Sequence, residues 1–315
     1  MKAIFATAAG AKLCNTEMPT PGPDEILVKV RAAALNRADL ASLAAKDGKV
    51  LGMEWAGEIV NVGHAVTEWK PGDRVMCTGS AAYAEYAVTD RGRAMRIPDD
   101  MPLEEAATLM LACQTMHNAI ATASRMQRGE TLMIHGASSG VGLIGMQIGK
   151  LLGARVVIGT STNSMRCARL GEFGADYAIN ASSSGWVESI LRATGGKGVD
   201  VIVDQVSGRE LNKTMKACAM LGRIVNVGRL GGNEGVVDLN WHALRRISYH
   251  GVTFRTRSVQ EIRDLTAFLV RDLGGAIANR KLRLPIERVF PLEQAAAALD
   301  HMKSNTHFGK IVLSI

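Results

Sequence analysis

The stretch Thr131-Leu-Met-Ile-His-Gly-Ala-Ser-Ser-Gly-Val-Gly142, running on into Leu143-Ile-Gly-Met-Gln-Ile-Gly-Lys-Leu-Leu152, decides the fold. Apolar, β-prone residues at 132–134 suit a strand covered on both faces, and the apolar positions after 142 recur at helical spacing. The small residues at 136–142 between them let backbone N–H groups approach a pyrophosphate, whose charge is favoured at the positive end of the following helix. Against the pattern G-x-G-x-x-G, Ala137 and Ser139 stand where the first two glycines belong, and Gly142 fits the third. A small-residue turn serving only helix–strand contact is the alternative reading.

The sequence beyond this stretch favours a ligand. Strands are expected at Arg155–Gly159, Tyr177–Asn180, Val199–Asp204 and Arg223–Gly228, with helices at about 164–174, 184–194 and 209–220 between them. Strands that are apolar throughout and separated by helices imply an α/β fold with a doubly wound parallel sheet. Right-handed crossovers then put the 136–142 turn at the carboxyl edge, where such sheets bind ligands.

The end of the second strand bears on which dinucleotide binds. An NAD-selective site places Asp or Glu there, about 20 residues after the glycine turn, to accept hydrogen bonds from the ribose 2′-hydroxyl. Here that place holds Ser161, and Gly159-Thr-Ser-Thr-Asn-Ser-Met-Arg166 contains no acid and ends in a cation. A carboxylate repels a 2′-phosphate and a guanidinium attracts it, so NADPH is the expected cofactor. The competing reading makes 160–164 an ordinary helix N-cap region and Arg166 a solvated charge.

With 315 residues and 47% apolar content the chain is long enough for two domains. No secretory signal or membrane-length apolar run is read, and five scattered cysteines give neither a disulfide framework nor a zinc clip, so a cytoplasmic enzyme is expected. The net charge of +7 raises the question of nucleic acid, but the cations are dispersed and aromatic content is 4%, so no nucleic-acid partner and no membrane partner are expected.

The part before about residue 110 has a different texture. Met1–Leu13, Glu25–Ala34 and Met53–Gly63 read as strands, with turn signals at Pro21-Gly-Pro23 and Pro71-Gly-Asp73, which suggests a compact, partly open β-barrel. The tail Gly309–Ile315 is a strand expected to return to it, and helices at about 259–275 and 292–303 are expected to connect the two units. The expected division is 1–110 with 256–315, and 111–255. Ser248–Phe254 reads as a terminal strand able to pair with a twin across a two-fold axis.

Several motifs carry a resemblance that spans nearly the whole chain. They are Ala34-Leu-Asn-Arg-Ala-Asp-Leu40, Gly52-Met-Glu-Trp-Ala-Gly57 with Val62-Gly63, Pro71-Gly-Asp-Arg-Val75, Tyr83-Ala-Glu-Tyr86, Gly136–Gly142, Gly228-Arg-Leu-Gly-Gly232 and Phe308-Gly-Lys-Ile-Val312. In order and spacing the chain resembles the zinc-independent quinone oxidoreductases (zeta-crystallin-like group) of the medium-chain dehydrogenase/reductase superfamily. The resemblance implies a Rossmann-type sheet plus a GroES-like barrel, a homodimer, NADPH, and reduction of quinones or related conjugated carbonyl compounds.

It also implies site residues. Where zinc alcohol dehydrogenases have a Cys and a His-Glu pair, this chain has Asn36 and Met53-Glu54, so no metal is expected. His64, His117 and His135 do not form a ligand-spaced set. Asn36 would lie near nicotinamide and substrate, its amide donating to a carbonyl, while Asp39 orients the local turn. Ser139, Gly140, Val141 and Gly142 would present the pyrophosphate turn. Thr160, Thr162 and Arg166 would serve the 2′-phosphate end, and Thr115, Gly228, Arg229, Leu230 and Asn305 complete the set. Arg257 is equally readable as a surface cation.

Two departures stand out. The loop Leu40–Leu51 is short and lacks the family's tyrosines, and Ala181 replaces a Tyr that several relatives have after Ile-Asn. An alkenal, enone or enoyl thioester double-bond reductase is therefore an alternative. A nucleotide-binding protein with a structural or RNA-associated role is another.

Overall fold

The computed structural model describes residues 1–315, which divide into two compact units: Met1–Leu111 with Ser258–Ile315, and Ala112–Arg257. No helix is long and apolar enough to cross a membrane.

The second unit is built on six parallel strands: Tyr177–Asn180, Val156–Ser161, Thr131–His135, Val199–Asp204, Cys218–Asn226 and Ser248–Gly251, in that spatial order. Numbered along the chain this is 3-2-1-4-5-6, the doubly wound order whose switch point lies between the first and fourth strands. The central strands are buried on both faces, as their unbroken apolar sequence requires: every residue of Thr131–His135 is inaccessible. Met133, Ile158, Ile202 and Ile224 form one core with Trp186 and Ile190 from the helix Trp186–Ala193.

The first unit carries a seven-stranded sheet. Ile286–Pro291, Lys310–Ser314, Glu25–Ala34, Glu54–Val62, Arg74–Thr78 and Ala94–Arg96 lie side by side in that order, and Tyr86–Asp90 pairs with Glu25–Ala34 off that path. The expected strand Met1–Leu13 is two strands, Lys2–Thr7 and Gly10–Asn15, paired antiparallel through a tight turn at Gly10, whose φ is +102°. The helices Val259–Ala278 and Ala295–Ser304 belong to this unit instead of connecting the two. The first is pinned by Arg263, which makes paired hydrogen bonds of 2.9 and 2.6 Å to Asp90.

Two register relations draw three distant segments to one end of the sheet. Val312 pairs with Ala34 and Leu313 with Ala33, so the same antiparallel register brings Lys310 opposite Asn36. Ala33 pairs with Trp55, which brings Glu54 opposite Ala34.

Candidate functional site

In the first unit, Asn36 stands in extended backbone (φ −129°, ψ 148°) as the N-cap of a helix, Arg37–Ala45. Its N–H donates to Asp39 Oδ2 at 2.7 Å, the half of a capping arrangement that Asp39 supplies. The Asn36 side chain turns elsewhere. Nδ2 donates to Glu54 Oε1 at 2.9 Å and to the Ala34 carbonyl at 3.3 Å, and Oδ1 accepts from Lys310 Nζ at 2.9 Å. Lys310 also donates to Glu54 Oε1, and Glu54 Oε2 accepts from Leu111 N at 3.0 Å. Glu54 is fully buried and Lys310 is 4% exposed. Both Asn36 amide hydrogens are therefore spent inside the unit, in place of the donation to a substrate carbonyl that the resemblance implies.

Asp39 is fully buried too. Tyr83 donates its hydroxyl to Asp39 Oδ2 at 2.7 Å, and Oδ1 has no partner. Burial pushes the Asp39 carboxyl up to about 6, against the hydrogen bonds from Tyr83 and Asn36 and the charge of Lys310, which oppose the rise. Burial and the neighbouring Asp39 charge push the Tyr83 hydroxyl well up, so it stays a donor.

In the second unit the expected cofactor residues gather at the carboxyl ends of the strands. Ser139 is the N-cap of the helix Gly140–Leu151, its Oγ accepting from Gly142 N at 3.0 Å. That satisfies the third N–H of the helix and leaves those of Gly140 and Val141 without intrahelical acceptors, oriented as helix starts offer them to anions. Gly142 is required for contact: a Cβ there would lie 2.7 Å from Ala137 Cα. These features fit a dinucleotide pyrophosphate.

Thr160 holds the turn from within. It is fully buried, and its Oγ1 accepts from Gly136 N at 3.1 Å and bonds His135 Nδ1 at 2.8 Å. Thr162 is exposed beyond the strand end, and Arg166 lies in a short helix, Ser164–Ala168, capped by Asn163. Arg229 and Leu230 are exposed after the strand Cys218–Asn226, while Gly228 sits against Gln205. Thr115 is half-buried in the helix Met110–His117. Asn305 belongs to the first unit; it ends the helix Ala295–Ser304 in left-handed backbone (φ 57°), and its Oδ1 accepts from Arg37 at 2.7 Å.

Sequence reading missed Lys310 as a site residue, although a lysine inside the apolar run Lys310–Ser314 signals a buried charge in need of an acid. It also missed Gln205, which has no local signature.

Two family models match the chain: the alcohol dehydrogenase GroES-like domain over residues 22–99 and the zinc-binding dehydrogenase over residues 140–271. A highly reducing polyketide synthase of Cryptosporiopsis sp. (strain 8999) is 29% identical over 299 residues, 93% of this chain and 12% of that protein. The chain thus spans about an eighth of that relative's length. Among solved structures, the quinone oxidoreductase of Pseudomonas syringae pv. tomato DC3000 has a TM-score of 0.89 at 27% identity, covering 100% of this chain and 99% of that one. An NAD-dependent alcohol dehydrogenase has a TM-score of 0.88 at 27% identity, with 100% of both chains covered.

The residues do not fit the zinc that one family description implies. Asn36 and Met53-Glu54 stand where the resemblance puts zinc ligands; Asn and Met are poor ligands for zinc, Asn36 and Glu54 both bond the Lys310 ammonium, and no group of three or more His, Cys, Asp or Glu side chains could hold a metal ion.

The buried cluster makes two predictions. Lys310→Met strands the Glu54 carboxylate and should cost about 3–5 kcal/mol in urea unfolding, most of it recovered by adding Glu54→Gln; an equal cost in both variants contradicts the ion pair. Asp39, an acid whose native pKa is raised, stabilises the fold below about pH 4 relative to higher pH, and this is lost as pH rises through about 6. Between pH 4 and 7 the wild type should lose about 3 kcal/mol relative to Asp39→Asn; parallel pH profiles contradict it.

Proposed function

Because this chain belongs to the medium-chain dehydrogenase/reductase superfamily, we propose that it is an NADPH-dependent reductase of conjugated carbonyl acceptors, quinones foremost, working without zinc. The observation that carries this reading is the Lys310 ammonium bound by both Asn36 and Glu54, at the positions zinc enzymes give to ligands. Without a Lewis acid, the acceptor must be electrophilic on its own account. A quinone or conjugated ketone meets that condition because added charge delocalises onto oxygen, which takes a proton from water.

NADPH, when bound, supplies hydride from C4 of its nicotinamide. In this reading Gly140 and Val141 hold the pyrophosphate through their N–H groups, and Thr162 and Arg166 meet the 2′-phosphate. Thr115 and the Gly228–Leu230 loop serve the nicotinamide end. The lack of an acid between Gly159 and Arg166 supports NADPH over NADH. Asn36, with its donors spent, contributes a rigid polar surface. Five cysteines outside any disulfide suit a reducing, cytoplasmic setting.

Reduction of an enone, alkenal or enoyl thioester double bond is the second reading, favoured by the match to a reducing polyketide synthase. Steady-state oxidation of NADPH with 1,4-quinones, 2-alkenals and crotonyl thioester side by side should give the highest kcat/KM with a quinone. Preference for the thioester selects the second reading, and NADPH binding without turnover selects a nucleotide-binding role. Arg166→Ala should weaken NADPH by about tenfold or more and leave NADH unchanged, as expected for one charge-assisted contact; equal effects on both contradict the phosphate assignment.

A homodimer belongs to the same proposal. Ser248–Gly251 is an edge strand of the parallel sheet, and its Tyr249, 42% exposed, lines one cavity with Val237 and the 71% exposed Leu239. Sedimentation at micromolar concentration should give twice the chain mass, reduced by Tyr249→Asp; a monomeric wild type contradicts it.

A further inference from the structure

Gln205 has no role in the proposed hydride transfer, yet it bonds to both cofactor-facing loops of the second unit. It comes directly after the strand Val199–Asp204, at the switch point of the sheet, and is 6% exposed. Its Nε2 donates to the Gly136 carbonyl at 3.1 Å and its Oε1 accepts from Ser139 Oγ at 2.9 Å. Its backbone carbonyl accepts from Leu230 N at 3.2 Å, and its own N–H donates to the His135 carbonyl at 3.2 Å. The contacts are close as well as polar: a Cβ on Gly228 would lie 2.7 Å from Gln205 O, and one on Gly136 would lie 3.5 Å from Gln205 Cβ.

We infer that Gln205 is a positioning residue whose side chain fixes the Gly136–Gly142 turn, while its backbone carbonyl holds the Gly228–Leu230 loop beside it. The inference rests on the proposed dinucleotide site. Its chemistry requires an amide, because one side chain must donate to a carbonyl and accept from a hydroxyl at once. Gln205 Oε1 is the nearer of two acceptors for the Ser139 hydroxyl hydrogen, the other being the Gly136 carbonyl at 3.3 Å, and with that hydrogen turned away the Ser139 oxygen accepts from Gly142 N, which sets the helix cap and so the orphan donors of Gly140 and Val141. A glutamate keeps the acceptor and loses the donor; a methionine keeps the bulk and loses both.

The turn matters only to a ligand that lays a phosphate on it, and the test uses that. Dissociation constants for NADPH and for 2′-AMP, which lacks the pyrophosphate and the nicotinamide half, are measured on the ligand-free full chain by fluorescence, with the emission of bound nicotinamide recorded and the melting temperature monitored. Gln205→Met should weaken NADPH about tenfold, as loss of two neutral hydrogen bonds implies, lower the bound-nicotinamide emission, and leave 2′-AMP within about twofold. Equal weakening of both ligands, or no change in either, overturns the inference. If Gln205→Met does not melt cooperatively, Gln205→Glu is put through the same comparison with the same expected and contradicting results. A wild type that binds neither ligand refutes the dinucleotide site itself, and the inference with it.

Discussion

A lysine ammonium and a glutamate carboxylate withdrawn from water must be held together, and the first unit is arranged around that requirement. Each ion alone would be costly to bury; paired and supplied with further hydrogen bonds from Asn36 and Leu111 N, they are tolerated. The pair forms only if the carboxyl-terminal strand returns beside Glu25–Ala34 and Glu54–Val62 closes on its other side. It also consumes the polar groups that a metal would need. In the proposed function, the need for an acceptor that is already electrophilic follows from that occupancy.

The second unit obeys the same rule without a buried ion pair. Ser139 satisfies Gly142 N, Thr160 satisfies Gly136 N, and Gln205 satisfies both Ser139 and the Gly136 carbonyl. Polar groups of the turn are thereby committed to one another, while the first two N–H groups of the helix have no acceptor within it. The small residues at 136–142 matter because side chains would collide there, as a Cβ at Gly142 would with Ala137. The departure from three glycines is accommodated: Ser139 supplies the helix cap at a place where a glycine would supply none.

Much of the α/β architecture was legible because its signals are local: buried apolar strands, small-residue turns and helical spacing recur along 131–228, and the strand order that results is 3-2-1-4-5-6. Local signals failed where structure depends on distance. The helix Arg37–Ala45 buries only Asp39, so the sequence there has no apolar stripe to announce it. The hairpin at Gly10 reads as one strand because its turn residues, Ala8-Ala9, include no Pro, Asn, Asp or Gly to mark the reversal. Val259–Ala278 looks like a connector until Arg263 is seen to bond Asp90, 173 residues away. Lys310 and Glu54 are 256 residues apart, and no short window contains the reason either is buried.

The proposed chemistry requires that the buried Lys310 ammonium, bonded to Asn36 and Glu54, stand in place of a catalytic metal ion. The direct measurement is metal content of freshly purified protein, taken with NADPH oxidation by a conjugated ketone and by its saturated counterpart, before and after chelation. The expected result is no stoichiometric zinc, turnover of the conjugated ketone that chelation leaves unchanged, and none of the saturated one. One zinc per chain, with activity that chelation abolishes and zinc restores, would contradict it.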